Sequence, residues 1–348
     1  MKVVISLKPL QSGSKTRGIG VYTRELIRTL QELYPQDEFI PTTHDYYHQD
    51  ADLVHFPFFD PFFLTLPLRK TKPTVVTVHD LIPLKFPQHF PKGFRGTLKW
   101  WIQRYSLKQV DHIITDSFSS QEDIHQILQF SKDKITVIPL GPNVRYSRVP
   151  KQLKLNVIQE YNLPSKYLLY VGDINWNKNI PGLIKEFSKL QNRRLHLVLV
   201  GGVFQQKKMI PELREILNLI NKSPLKERIH LLGFVPSHHL PALYALAFAY
   251  IQPSWYEGFG LPILEAMEHR CPVITSNQGS LPEVGGEAVI YFDPHKSGDL
   301  AAKVNYLLDN PRKRKTLVEL GKQQAKKFNW KQTAQKTYEV YQKLANRI

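Results

Sequence analysis

Short runs of β-branched and aliphatic residues alternate with amphipathic stretches along the whole chain. In the first half, the apolar runs predict strands at Lys2 to Leu7, Asp52 to Phe56, Thr74 to His79, His112 to Thr115 and Ile135 to Pro139. Apolar positions at helical spacing predict helices at Val21 to Leu33, Leu98 to Val110 and Gln121 to Gln129. The third helix opens on Ser119-Ser120-Gln121-Glu122, a capping-box pattern in which a hydroxyl and a carboxylate satisfy unpaired N–H groups. The second half repeats the alternation. Its strands are expected at Tyr167 to Val171, Leu195 to Val200, Ile229 to Leu232, Ala247 to Gln252, Val273 to Thr275 and Ala288 to Phe292. Its helices are expected at Ile180 to Leu190, Glu212 to Ile220, His239 to Leu246 and Leu261 to His269, with a helical tail from about Gly298.

Apolar strands separated by helices imply parallel sheets covered on both faces and joined by right-handed crossovers. Two such series occur, separated by Gly141 to Pro164, a proline-marked linker carrying one helix. The expected fold is therefore α/β, with two doubly wound Rossmann-like parallel-sheet domains. The divisions are 1–150, 151–328 and a last helix, 329–348, expected to pack back toward the first domain. In such sheets, ligands bind outside the carboxyl ends of the strands, where the strand order reverses, and a pocket between two domains is a common site.

Length and composition agree with this picture. A chain of 348 residues suits two cores better than one, and 42% apolar residues leave no shortage of material for burial. The single cysteine, Cys271, cannot form an internal disulfide, and no secretory signal or membrane-spanning stretch is visible, so a cytoplasmic protein is expected. Lysine and arginine number 47 against 30 acids, a net charge of +17 that suits phosphorylated small molecules, an anionic membrane surface or nucleic acid. No recognition module or aromatic-studded groove favours nucleic acid, and the basic run Arg312-Lys313-Arg314-Lys315 reads as a solvated helix face.

The densest chemistry lies in Pro253-Ser254-Trp255-Tyr256-Glu257-Gly258-Phe259-Gly260-Leu261-Pro262, which links a buried strand to a helix. Gly258 and Gly260 allow close backbone approach to a ligand, and Pro262 suits the first helical turn. The N–H groups at the helix start favour anions. Glu257 and Glu265 can accept hydrogen bonds from the paired hydroxyls of a sugar or ribose. A surface loop beside an ordinary helical glutamate is the simpler reading of two glutamates alone, and the strand–turn–helix setting argues against it.

Glu257-Gly258-Phe259-Gly260-Leu261 followed by Glu265 resembles the paired-glutamate signature of retaining nucleotide-sugar glycosyltransferases with the GT-B fold, glycosyltransferase family 4. The resemblance extends over nearly the whole chain. Arg17-Gly18-Ile19-Gly20 is similar to the family's N-terminal glycine loop, and Val78-His79-Asp80 to its His-Asp segment. Asp116-Ser117 with Ser119, then Ile138-Pro139-Leu140-Gly141, resemble the end of its first domain. Tyr170-Val171-Gly172 with Trp176-Asn177-Lys178-Asn179 resembles its diphosphate loop, and Gly201-Gly202 and Gly233-Phe234-Val235 complete the second domain.

The resemblance implies catalytic roles for Glu257, Lys178 and His79. It implies donor contacts by Gly18, Gly20, Gly172, Asn177, Gly233, Phe234, Gly258, Phe259, Gly260, Leu261 and Glu265, and an acceptor contact by Asp80. Glu257 would meet the donor sugar and Glu265 the nucleotide ribose. It further implies a GDP- or UDP-sugar co-substrate with a mannosyl or glucosyl group favoured, no cofactor, and a glycan or lipid-linked acceptor in surface polysaccharide or glycolipid assembly. Retention would come from front-face attack, with the leaving phosphate taking the acceptor's proton and no protein nucleophile. Many relatives carry an arginine where this chain has Asn177 or Asp173, so Lys178 meets the diphosphate alone or with help from Arg17 or Arg24.

Other features bear on metal and acceptor. Asp50-Ala51-Asp52 has the spacing of a metal-binding Asp-x-Asp motif but lacks supporting ligands, and no metal is expected. The helix from Phe94 to Val110 is expected to bury Leu98, Trp101, Ile102 and Tyr105 and to show Trp100 and Leu107 among Arg95, Lys99, Arg104 and Lys108. That face would suit an anionic membrane at the inner surface, or a second packing contact. Tyr46, Tyr47, His48 and Phe56 to Phe63 can line an acceptor pocket, although the phenylalanines also suit a core. Two rivals remain: a sugar-nucleotide epimerase or a phosphorylase on the same architecture, and a non-catalytic sugar- or nucleic-acid-binding protein.

Overall fold

In the computed structural model, which describes residues 1–11, 18–43, 50–142, 149–206 and 209–346, the strands form where the apolar runs lie. Two compact units result: Met1–Gly141 together with Phe328–Ile348, and Pro142–Lys327. The division falls at Gly141 rather than near Pro150, and the Lys151–Glu160 helix belongs to the second unit, where Tyr161 just after it meets His239 at 2.9 Å.

The first unit holds β1 (Lys2–Ser6), β2 (Glu38–Thr42), β3 (Leu53–Phe56), β4 (Thr74–Thr77), β5 (His112–Thr115) and β6 (Ile135–Val137). These form one six-stranded sheet in the order β2-β1-β3-β4-β5-β6, with every pair parallel. The order reverses between β1 and β3. Strand β2 is not predicted from the pattern, because Glu38, Pro41 and Thr42 break its apolar run. Its place at the sheet edge explains how Pro41 is tolerated, since an edge strand can lack one ladder donor.

The Trp330–Ala345 helix packs on this unit. Tyr338 stacks on Tyr34 with ring centroids 3.6 Å apart, and Thr333 donates to the Pro139 carbonyl at 2.7 Å.

The second unit holds β7 (Tyr167–Val171), β8 (His196–Val200), β9 (Ile229–Gly233), β10 (Ala249–Gln252), β11 (Val273–Ser276) and β12 (Val289–Phe292). Their order is β12-β11-β10-β7-β8-β9, again all parallel, with the reversal between β7 and β10. Its core joins Leu168, Leu197, Leu199 and Ile251 on the sheet to Leu183 and Phe187 of the Ile180–Ser188 helix and Val304 of the Asp299–Asp309 helix. Each such apolar side chain contributes about 1.5–3 kcal/mol by leaving water.

Two local expectations are corrected. The Phe118–Leu128 helix starts earlier than the capping-box pattern suggests. Ser117, in extended conformation, is its N-cap and accepts from the Ser120 N–H at 3.0 Å. The Gly93–Leu107 helix is turned the other way about its axis. Trp100 and Leu107 are buried, whereas Trp101 is 59% exposed, with Leu98 and Tyr105 similarly open. Gln103 decides the orientation. Fully buried, it accepts at Oε1 from the Thr65 and Leu66 N–H groups at 2.9 and 3.0 Å and donates from Nε2 to the Leu66 carbonyl at 3.2 Å. A side chain so satisfied belongs inside, and it carries its face of the helix with it.

Candidate functional site

The carboxyl ends of β7 and β10 are neighbours at the strand reversal of the second unit, and the loop after each carries one predicted catalytic residue. Lys178 lies in the turn after β7 and Glu257 in the turn after β10. The Lys178 ammonium donates to both carboxylate oxygens of Glu257, each at 2.8 Å. Glu257 is buried, and Lys178 retains partial exposure.

The surroundings fix the carboxylate further. Gln252 Nε2 and Ser254 Oγ each donate to Glu257 Oε1 at 2.7 Å, and the Tyr250 hydroxyl donates to Gln252 Oε1. Oε1 is thus saturated. Among the described residues Oε2 accepts only from Lys178, so it keeps acceptor capacity for a ligand hydroxyl. Gln252 and Ser254 are absent from the sequence-based site. Their one visible signal is polarity at the end of an otherwise apolar strand.

The two loops are stitched together. Trp255 N–H donates to the Asn177 carbonyl at 2.8 Å, and Asn177 Nδ2 donates to the Tyr256 carbonyl at 3.1 Å. Asn177, expected on the donor, is buried and spends its amide on this seam. From beneath, Ser280 N–H donates to the Glu257 carbonyl at 3.2 Å, while its hydroxyl lies 3.0 and 2.9 Å from the carbonyls of Glu257 and Phe259. Gly279 permits that approach: its φ is +58°, and a Cβ there would sit 2.6 Å from the Glu257 carbonyl oxygen.

Gly258 and buried Phe259 lead into Gly260, whose φ of +105° precedes the Leu261–Glu268 helix. Glu265, on that helix, accepts from the Tyr244 hydroxyl at 3.0 Å. Burial pushes its pKa up to about 7, against the lowering effect of that hydrogen bond. Gly172 follows β7 directly, Gly233 ends β9, and Phe234 beyond it is exposed. All of these lie at the carboxyl edge of one sheet.

In the first unit, Gly18 and Gly20 form the first turn of the Gly18–Leu33 helix rather than a loop, Gly18 exposed and Gly20 buried. Arg17, Tyr46, Tyr47 and His48 lie outside the described residues. Arg24 is exposed on the helix, 3.9 Å from Glu25.

His79 follows β4. Its Nδ1–H donates to Asp116 Oδ2 at 2.7 Å and its Nε2–H to the Pro57 carbonyl at 3.3 Å. Two acceptors suit an imidazolium. Burial works to lower the His79 pKa, but the Asp116 carboxylate outweighs it, and the net direction is up. Behind it runs a polar chain. Tyr22 packs edge-on to His79, its hydroxyl is 2.9 Å from Thr77 Oγ1, and Thr77 is 2.8 Å from His55 Nε2. His55, fully buried and pushed down to about 3 by burial and by the charge of His79, meets the Tyr341 hydroxyl at 2.6 Å. Asp80 Oδ1 accepts from Ile82 N–H at 3.0 Å, shaping the turn into the Ile82–Lys85 helix. Asp52 and Asp50 are both drawn to Lys2, Asp52 by its backbone N–H at 2.7 Å and Asp50 by its ammonium.

A cavity of about 260 Å³ opens at this unit's own strand reversal, lined by Ser6 at the end of β1, Lys8 after it, and Phe58, Asp60, Phe63 and Thr65 after β3. No helix of the described residues is long and apolar enough to cross a membrane.

Comparison with known proteins agrees with the geometry. A family described as Glycosyl transferases group 1 matches residues 154–324, and one described as Glycosyltransferase Family 4 matches residues 38–145. The O-antigen chain mannosyltransferase B of Escherichia coli is 32% identical over 274 residues, 78% of this chain and 70% of that protein. The serotype-specific mannosyltransferase WbdA of Escherichia coli is 28% identical over 278 residues, 78% of this chain and 33% of that protein. Among solved structures, Anabaena HepE in complex with UDP-glucose superposes with a TM-score of 0.77 at 17% identity, covering 99% of this chain and 100% of that one. At that identity the likeness speaks to the GT-B fold.

Proposed function

Since the chain belongs to glycosyltransferase family 4, we propose that it moves a mannosyl residue from a nucleoside-diphosphate sugar, GDP- or UDP-linked, onto a glycan or lipid-linked acceptor in surface polysaccharide assembly. The observation that carries this reading is the Lys178–Glu257 pair at the strand reversal, with both contacts at 2.8 Å. The donor's diphosphate lies against the Lys178 ammonium and the N–H groups that open the Leu261–Glu268 helix. Glu257, relieved of part of its hold on Lys178, accepts hydroxyls of the sugar through Oε2. Glu265 accepts the ribose hydroxyls.

Charge that develops on the departing nucleoside diphosphate is met by donors already in place, the arrangement that lowers such barriers most. The acceptor occupies the first unit's cavity, where Phe58 and Phe63 offer faces to a sugar ring and Lys8 and Asp60 offer polar contacts. His79, its Nδ1–H held by Asp116, turns its Nε2–H from the Pro57 carbonyl to a sugar oxygen. The reaction retains anomeric configuration by front-face attack, with the acceptor proton passing to the leaving phosphate, and it requires neither a protein nucleophile nor a metal ion.

The test is a panel of nucleotide sugars. One donor raises the melting temperature, because it binds only the folded chain. That donor is slowly hydrolysed without acceptor to free sugar and nucleoside diphosphate, and the sugar first appears in the donor's own anomeric form. Glu257→Ala removes this turnover while the protein stays folded. Unchanged turnover in that variant would overturn the assignment.

A further inference from the structure

On the Gly93–Leu107 helix, Phe94, Leu98, Trp101 and Tyr105 recur at four-, three- and four-residue steps and so share one face. All four face water, Phe94 being 86% exposed. The adjoining segment adds Phe63, Leu64 and Leu68, each more than half exposed. The two pieces form one platform: Gln103 clamps Thr65 and Leu66 to the helix, Ser106 Oγ donates to the Pro67 carbonyl at 2.5 Å, and Lys99 lies 5.1 Å above the Phe63 ring. An apolar surface of this extent on a folded chain calls for a covering.

Within its two segments the charges are of one sign, and the one acid beside them, Asp60, interacts with Lys99. Residues 61–72 and 91–108 contain no acid, while Arg69, Lys72, Lys92, Arg95, Lys99 and Lys108 lie in the same two segments as the aromatic stripe. Aromatic rings with a polar edge and long cationic stems that can lie along apolar surface suit the boundary between headgroups and acyl chains. A second copy seated on the same face would set these cations against their own kind.

We infer that this face docks on an anionic lipid bilayer. The aromatic stripe enters the headgroup boundary, and the flanking lysines and arginines meet lipid phosphates. The docking face borders the first unit's cavity at Phe63 and Leu64, and the docking holds whichever sugar is moved.

Sedimentation with vesicles tests it. The full chain is expected to pellet with vesicles of phosphatidylcholine and phosphatidylglycerol, to stay in solution with phosphatidylcholine alone, and to be released by high salt. Arg95→Ala with Lys99→Ala removes two cations and should weaken binding roughly 30-fold. Leu98→Glu with Trp101→Glu should abolish binding, yet keep the wild-type melting temperature and donor hydrolysis, because both side chains are exposed. Failure of the wild-type chain to bind phosphatidylglycerol vesicles, or unchanged binding by the double glutamate variant, would overturn the inference. A wild-type dimer that the same variant splits, seen by light scattering without vesicle binding, would assign the face to a second copy instead.

Discussion

Lys178 and Glu257 lie 79 residues apart in sequence, yet one ammonium holds both oxygens of one carboxylate at 2.8 Å. The pair places a cation and the acid proposed to bind sugar at a single point on the sheet edge. Removing either group should reduce kcat by about 100-fold or more, the usual loss when one preorganised electrostatic contact is deleted. Lys178→Ala with Glu257→Ala should cost little more than the worse single change, because the two act as a unit. Steady-state kinetics of the three variants decides this; fully additive losses would mean independent roles.

Glu265 links the site to pH. Its carboxyl is raised from an ordinary 4.5 to about 7 by burial, so the folded chain holds that proton more tightly than the unfolded chain. Stability from this group is fully present below about 4.5 and falls as pH rises through about 7, by about 1–3 kcal/mol given its residual exposure. Donor affinity should change the opposite way, improving as the carboxylate forms. Urea denaturation and donor titration from pH 5 to 8 measure both effects, and Glu265→Gln should flatten both.

Gly279 packs directly beneath the turn that carries Glu257. Gly279→Ala meets two obstacles, a φ of +58° and a Cβ 2.6 Å from the Glu257 carbonyl oxygen. A loss of roughly 1–3 kcal/mol in stability is expected, with a larger proportional loss in kcat as Glu257 shifts. A fully active, fully stable alanine variant would show that the turn has room to move.

Adjacent tryptophans should behave oppositely. Trp100→Ala empties a buried position and should cost about 3–5 kcal/mol, whereas Trp101→Ala removes an exposed ring and should stay within about 0.5 kcal/mol. Chemical denaturation of the two variants tests the helix orientation directly.

That orientation also shows where the sequence is ambiguous. Positions 94, 98, 101 and 105 and positions 96, 100, 103 and 107 both follow helical spacing. The second set hides its inward role because two members are Gly96 and Gln103. Partners supplied by another segment, the backbone groups of Thr65 and Leu66 and the Thr65 hydroxyl, make Gln103 an interior residue. Strand β2 was illegible for a related reason: a short edge strand buries too little to need an apolar run. By contrast, the fully buried strands, such as Val3-Val4-Ile5 and Leu168-Leu169-Tyr170, can be read directly, since burial on both faces demands apolar residues throughout. In the site, the glycine-rich turn and its two glutamates were legible as local pattern. Gln252, Ser254 and the buried seam made by Asn177 were not, because their meaning lies in contacts across loops.

The Trp330–Ala345 helix has a consequence for how the chain comes into being. Its Tyr341 hydroxyl reaches His55, and its Tyr338 hydroxyl reaches Asp37. On the ribosome, the opening 141 residues therefore wait, missing one wall, until residues 328–346 emerge. The segment from Pro142 to Lys327 begins later but is complete by Lys327, before the first unit's last helix is made. Order of synthesis and order of completion are reversed, and the nascent N-terminal portion is the one exposed to chaperones and proteases in the interval.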